Sequence, residues 1–492
     1  MKQGLLTFLK TKPLFVLLLP VFFVLHGYVE NYEISPGKEA LTLLGIYLLV
    51  SILLAFIFWL IYKDIFKACF ATFIILAFNF FFGSTHDFLK SHFNGSFITR
   101  YSFILPVSLV FFIALVFYLK KTRLKFLKTN QYLNWLFIVL IFIDVFFLIT
   151  KLSTTRDQPF IESPQDFVKC DTCSKPDVYL IIADEYAGHQ ELKDLFNYDN
   201  TPFENELRKR GFHVVNHTKS NYNATVYSMA SMLNLGYIEN MKNHTINATD
   251  IFTYFDLIAQ SNVVDIFNKL GYTIYNNSFF DLKDNNRLVG NTFFNTKNLL
   301  FISQTFAHRF FKDIGYHFEN SQHLKKSIQR HLYNNKIIDS STKTIAKYNS
   351  TSQKFVYTHL QMPHHPYFFD QNGKEVALEL LADEYKLVKG AYIEYLIYTN
   401  RKLLQLIDHI KISSKNPPLI ILMSDHGFRQ FSDTVDQKYH FMNLNAILLP
   451  NGDYSQFYDG MSNVNQFRVI LNSQFGQKLP LLKDSTTFLL EE

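Results

Sequence analysis

Cysteine is scarce in this 492-residue chain, with three in all, too few for a disulfide scaffold. Cys69 lies inside an apolar run, and Cys170 with Cys173 makes a lone C-x-x-C. A redox motif of that kind would stand between a strand and a following helix; here the pair precedes a strand, and a local disulfide is the plainer reading. No internal repeat is found, which excludes a solenoid or propeller. No basic patch occurs either: the formal charge of +6 sits largely in short connectors between apolar runs, so nothing points to a nucleic-acid partner. Long apolar runs are missing from everything after Lys151.

Apolar and aromatic residues are abundant, at 48% and 17%, and long runs of them are confined to the N-terminal third. Near-continuous apolar runs occupy about residues 13–28, 41–62, 68–83, 102–119 and 132–151. Each is close to the roughly 20 residues a helix needs to cross a bilayer. Five of them separated by short charged connectors predict a five-helix transmembrane domain over residues 1–152. The first run follows Lys2, Lys10 and Lys12 as a signal peptide would, but it exits into Gly27, Tyr28, Val29 and Glu30 without a small-residue cleavage pattern. It reads as an uncleaved anchor.

Lysine and arginine collect after the second run (Lys63, Lys67) and after the fourth (Lys120, Lys121, Arg123, Lys125, Lys128). The connector after the first run sets Glu30, Glu33 and Glu39 against Lys38, and the one after the third holds Lys90 and Arg100. With basic connectors inside, five crossings put everything after Lys151 outside the cytoplasm of a multi-pass cell-membrane protein. Asn-x-Ser/Thr triplets at Asn216, Asn223, Asn243, Asn247 and Asn349 occur in an asparagine-rich chain and matter only on a glycosylating secretory route.

Residues 153–174 mix Ser, Thr, Asp, Pro and Lys without a period and read as a linker. From residue 175 to 492 short apolar runs alternate with helical patterns. Val178–Ala183, Phe212–Val215, Tyr272–Tyr275, Phe355–Tyr357, Leu419–Met423 and Ala446–Leu449 read as buried strands. Helices are expected over Pro202–Arg210, with Thr201 and Glu204 as a capping box, over Ser261–Leu270, and from about Val376 to Ile410. The pattern predicts an α/β fold with a mostly parallel sheet between helix layers.

In such sheets function collects outside the carboxyl ends of the strands. Asp184 and Glu185 follow the first strand; His359, His364 and His365 come at and after the fourth; Ser424, Asp425, His426 and Gly427 follow the fifth. Carboxylates and imidazoles at three strand ends suit zinc or manganese. After Val215 the segment NHTKSNYNATVYSMASMLN places Asn221 and Asn223 in a loop and starts a helix near Thr225. A hydroxyl there meets free backbone N–H groups and the positive end of the helix dipole, as a nucleophile would want. Equally, Thr225 can simply cap its helix. Ser228 and Ser231, three apart, read as packing residues.

Together the PDVYLIIADEYA strand, the SNYNATVYSMASMLN turn, HLQMPHHPYFF, SDHG and FMNLNAILLP resemble the alkaline phosphatase and sulfatase superfamily. The resemblance is to its sulfatase-like transferases with five membrane helices, such as lipoteichoic acid synthases and phosphoethanolamine transferases. It implies that Asp184, Asp425, His426 and the Thr225 hydroxyl bind a divalent metal, Mn2+ or Zn2+. It also implies that Thr225 is the nucleophile and that His359 and His364 contact the transferred group or a second metal. The C-x-P-x-R segment of formylglycine sulfatases is missing, so the implied chemistry is phosphoryl transfer. A phosphoethanolamine- or phosphoglycerol-type head group would pass from a lipid-linked donor to an envelope glycan or lipid, both held at the membrane lipids. The alternative is a phosphodiesterase or other hydrolase with the same site. Glu185, His365 and His440 depart from the family pattern, where a small residue, a second Pro and an Arg are common.

Overall fold

The structure, a computed structural model, describes residues 2–32, 37–93, 95–153, 170, 173–239, 241, 244–246, 248–290, 299–314, 321–348, 352–377, 381, 389–431 and 434–491. Most of the expected linker, the triplets at Asn243, Asn247 and Asn349, and residues 378–380 and 382–388 of the long expected helix lie outside them. By internal packing the chain forms two units: Met1–Arg156 with Asn295–Glu319, and Asp157–Phe294 with Asn320–Glu492.

In the first unit, helices Gly37–Tyr62, Ile65–His92, Tyr101–Lys121 and Leu127–Ser153 are long and apolar enough to cross a membrane. The first apolar run forms a shorter helix, Phe15–Glu30, of 16 residues. At 1.5 Å per residue it spans roughly 24 Å, less than a bilayer's hydrocarbon core of roughly 30 Å. Polar side chains fix its position: Asn134 Oδ1 accepts the Phe15 N–H at 2.7 Å, while its amide donates to Leu9 and Lys12 carbonyls. In a medium without water such side chains satisfy backbone groups that the helix start leaves open.

The segment Asn295–Glu319 lies within the expected catalytic span of the sequence, yet its described part packs in the first unit. The Gly83 N–H donates to the Gln304 carbonyl at 2.7 Å, and a Cβ at Gly83 would come within 2.7 Å of Gln304 Cα. Phe306 packs between Phe78 and Phe82, Arg309 pairs with Asp87 at 2.6 Å, and Tyr101 donates to Asp313.

The second unit is built on a six-stranded sheet. Its strands are β1 (Val178–Ala183), β2 (His213–Val214), β4 (Thr273–Asn277), β5 (Lys354–Leu360), β6 (Leu419–Met423) and β7 (Asn445–Leu448); β3 (Thr245–Ile246) and β8 (Leu490–Glu491) pair separately. The order is β2-β7-β6-β1-β5-β4. β6, β1, β5 and β4 run parallel, and β7 and β2 pair antiparallel at the other edge. All six expected strands are present within a few residues. Val178–Ala183 is buried throughout, as a strand covered on both faces must be.

Alternation along β5 assigns the covering layers. Phe355 stacks on Phe267 and meets Phe467, from helices Asn262–Lys269 and Asn463–Phe475. Thr358 points the other way, to Thr342 of helix Ser321–Ala346, which also packs against helix Lys389–Ser413. Helix Ser321–Ala346 was not expected from the sequence pattern, and the long helix begins its described part at Lys389. The expected capping box is not formed. Thr201 donates its hydroxyl to Asp199, and Glu204 turns to His189 and Arg208. Cys170 and Cys173 are disulfide-bonded.

Candidate metal centre

β1 stands in the middle of the sheet with β5 on one side and β6 on the other, in a register that sets Ile182 beside both His359 and Met423. The residues that follow therefore emerge together. Asp184, Asp425 and His426 each offer a ligand atom, all within 4.8 Å of one another, and all three are buried. Among the described residues this is the one such cluster of three.

Asp425 and His426 are held from behind. Glu185, in the left-handed region at φ 57°, turns its N–H onto Asp425 Oδ1 at 3.0 Å. Such a backbone conformation is costly for a residue with a Cβ and persists where surrounding contacts over-determine it. The Ser424 hydroxyl receives the Tyr186 N–H and donates to the His426 carbonyl. Gly427 has no room for a side chain: a Cβ would lie 2.5 Å from the Tyr439 carbonyl and 2.6 Å from that of Met442. His426 Nδ1 is 2.7 Å from the Gly427 carbonyl, which places its proton there and leaves the Nε2 lone pair on the cluster side.

Thr225 is the first residue of helix Thr225–Leu233, after Ala224 at the N-cap, and makes no capping bond. Its hydroxyl donates instead toward His426 Nε2 at 3.2 Å. The loop leading to it is fixed by the expected asparagines: Asn221 accepts from the Val464 N–H, and Asn223 exchanges two bonds with Leu489. Asn223 is 3% exposed, so this triplet offers no open amide; Asn216 is exposed.

His359 shares a face of β5 with Tyr357, whose hydroxyl meets its Nδ1 at 2.7 Å, and presents Nε2 to Asp184 Oδ2 at 3.5 Å. His364 sits a step further out. Its Nδ1 donates to the His365 carbonyl, and its Nε2 lies 3.6 Å from Glu185 Oε2. The structure thus places His359 against the ligand set and His364 against Glu185. The His440 ring lies between those of Phe431 and Phe488, while its carbonyl accepts the Gly427 N–H at 3.0 Å.

Electrostatics set this pocket apart from an ordinary core. Burial, with the charge of Asp425, pushes Asp184 well above the usual carboxylate range. Burial also opposes ionisation of Asp425, but the adjoining His426 and His359 rings and the Glu185 N–H hold it below the usual range. Burial raises Glu185 to about 8 and lowers His359 to about 4, and it drives His364 far down with help from His365. Asp184 Oδ1 and Asp425 Oδ2 are buried without a hydrogen-bond partner. Two facing carboxylates with orphaned oxygens, a histidine nitrogen and a hydroxyl form a mixed O and N donor set of the kind a divalent cation completes.

Sequence reading missed the residues behind this set. The Ser228 hydroxyl and the Asn463 amide both donate to the Asp425 carbonyl, at 2.6 and 3.1 Å, and Asn443 donates to that of Ser424. Ser228 is therefore more than a packing residue, whereas Ser231 bonds within its own turn to the Gly236 carbonyl. No local signal marks Asn463, which lies 38 residues beyond Asp425.

No family model matches the sequence, and no curated protein does. Among solved structures the chain is similar to the C-terminal periplasmic domain of EcEptC from Escherichia coli in complex with Zn. The identity is 13% over 64% of this chain and 86% of that one, with a TM-score of 0.38. It is also similar to the same domain of the phosphoethanolamine transferase EptC from Campylobacter jejuni, at 16% identity over 62% and 91% of the two chains and a TM-score of 0.36. A phosphonate monoester hydrolase from Silicibacter pomeroyi matches at 12% over 64% and 76%, with a TM-score of 0.40.

Proposed function

We propose that this chain is a membrane-anchored, metal-dependent transferase of the sulfatase-like kind. It would move a phosphoryl-linked head group from a lipid donor to an envelope glycan or lipid outside the cytoplasm. The observation that carries this reading is the Thr225 hydroxyl, at a helix start with no capping role, 3.2 Å from a histidine of the buried Asp184–Asp425–His426 cluster. A Mn2+ or Zn2+ ion held by these residues would supply Lewis acidity and favour the alkoxide of Thr225.

The residues divide the remaining work. Thr225 Oγ1 forms the bond to phosphorus as the phosphorus–oxygen bond to the lipid alkoxide breaks, and the proton that Thr225 loses is matched by one gained by that alkoxide. The first-turn N–H groups of helix Thr225–Leu233 face the oxygens of the transferred group. His359, oriented by Tyr357, and His364, oriented by the His365 carbonyl, are kept neutral by burial and would act as proton acceptors first, taking the proton Thr225 loses and passing it to the leaving alkoxide, then taking that of the acceptor hydroxyl. The acceptor oxygen then takes the group from Thr225 and restores the free hydroxyl. A hydrolase would run the same two steps with water as acceptor. The four long apolar helices favour the transferase, since they keep the protein beside lipid donor and acceptor.

Mass spectrometry of the Thr225 peptide from protein purified out of its native membrane tests this, with Thr225→Ala alongside. A mass addition on Thr225 that the variant lacks is the expected outcome, and its size names the head group. Wild-type-like turnover by Thr225→Ala would overturn the reading.

A further inference from the structure

A cavity of about 460 Å3 opens in the second unit beside the antiparallel edge of the sheet, lined by residues that include Gly188, His189, Lys219, Asn443 and Lys438. Asp184, Thr225, Asp425 and His426 do not line it. Its volume is that of a small-molecule site. Among the described residues its one lining acid, Glu204, is already engaged, by His189 at 2.8 Å and by the Arg208 guanidinium at 3.3 Å. Lys438, at the rim, faces Asp436 at 3.5 Å. Half-buried Lys219 has no carboxylate within ion-pair distance among the described residues.

A second feature of the same sign faces this space. Helix His189–Phe196 starts here, and its N-cap, Gly188, has no side chain to satisfy the first-turn N–H groups. Gly188 also permits the close approach, since a Cβ there would lie 2.9 Å from the Asn443 backbone nitrogen. Among the described residues, a lysine without a carboxylate partner and a helix start without a side-chain cap meet on this cavity and favour an anion, because burial pushes the carboxyl of the first-turn acid, Glu191, well above the usual range and so opposes its charge.

The cavity shares a wall with the metal centre. The Asn463 N–H donates to the Lys219 carbonyl at 3.1 Å, and the Asn463 side-chain amide donates to the Asp425 carbonyl. Asn443, in the cavity wall, donates to the Ser424 carbonyl. Whatever fills the cavity therefore rests against the residues that hold the ligand turn. We propose that it is a second, separate binding site for phosphate or a small phosphate monoester, with Lys219 as its charged anchor.

Titration of the full-length protein in detergent with inorganic phosphate, and separately with glycerol 3-phosphate, tests this by calorimetry. The Asp425→Asn, Thr225→Ala background removes the reaction centre as a competing phosphate site. Saturable binding should persist in that background, weaken about tenfold with Lys219→Ala, as loss of one charged anchor implies, and return with Lys219→Arg. Lys438→Ala, at the rim, should change it far less. Binding that disappears in the double variant, or that ignores Lys219→Ala, overturns the proposal. This outcome is separable from the catalytic reading. A Thr225 adduct without phosphate binding in the double variant sinks only the cavity site; binding there with a fully active Thr225→Ala sinks only the transferase.

Discussion

Asp425 is the residue on which most of the site converges: its carboxylate meets the Glu185 N–H, and its carbonyl receives Ser228 and Asn463. Replacing it by Asn keeps the shape and removes the charge. Asp425→Asn should therefore fold and purify like the parent but lose bound metal, with elemental analysis falling from about one ion per chain to a small fraction of that. Retention of the full metal complement by this variant would show that the ion sits elsewhere. Thr225 illustrates the limit of local reading. From its neighbours it is equally a cap or a nucleophile, and only His426, 201 residues away, separates the two.

At the scale of elements, the site is the meeting of β1, β5, β6 and the start of helix Thr225–Leu233, backed by helix Asn463–Phe475. This last helix contributes no ligand, but the side chain of its first residue, Asn463, bonds the carbonyls of both Ser424 and Asp425. Asn463→Ala leaves these buried acceptors short of a donor, at a cost of about 1–3 kcal/mol. The expected result is a lower melting temperature and weaker metal binding with the nucleophile still present, read from thermal unfolding and from chelator competition. Unchanged metal affinity would reduce Asn463 to a structural role. The apolar helices of the first unit show a comparable dependence on polar side chains, with Asn134 closing the start of helix Phe15–Glu30 and Arg309 pairing with Asp87.

For the whole molecule, burial of titratable groups in the second unit makes stability depend on pH. His331, 4% exposed on helix Ser321–Ala346, has its pKa lowered to about 3 by burial. The native state keeps it neutral while the unfolded chain takes up a proton below the ordinary histidine value of about 6.5. Stability is thus full above that value and falls as pH drops toward the folded pKa, by about 2 kcal/mol at pH 5 from this group alone. His331→Phe should flatten the loss of melting temperature between pH 7.5 and pH 5, followed by circular dichroism; an equal loss in both proteins would assign it to other groups. The sequence by itself determined the long apolar helices, the six strands and the candidate ligands, because hydrophobic periodicity and polar residues at strand ends are local consequences of burying a covered sheet or crossing a lipid layer. Only the tertiary structure decided that Thr225 faces His426 instead of capping its helix, and that Glu204 pairs with His189 instead of closing a capping box. It alone placed Asn463 behind Asp425 and packed the segment around Gln304 with the long apolar helices. Those outcomes depend on contacts between residues far apart in the chain, which no local pattern encodes.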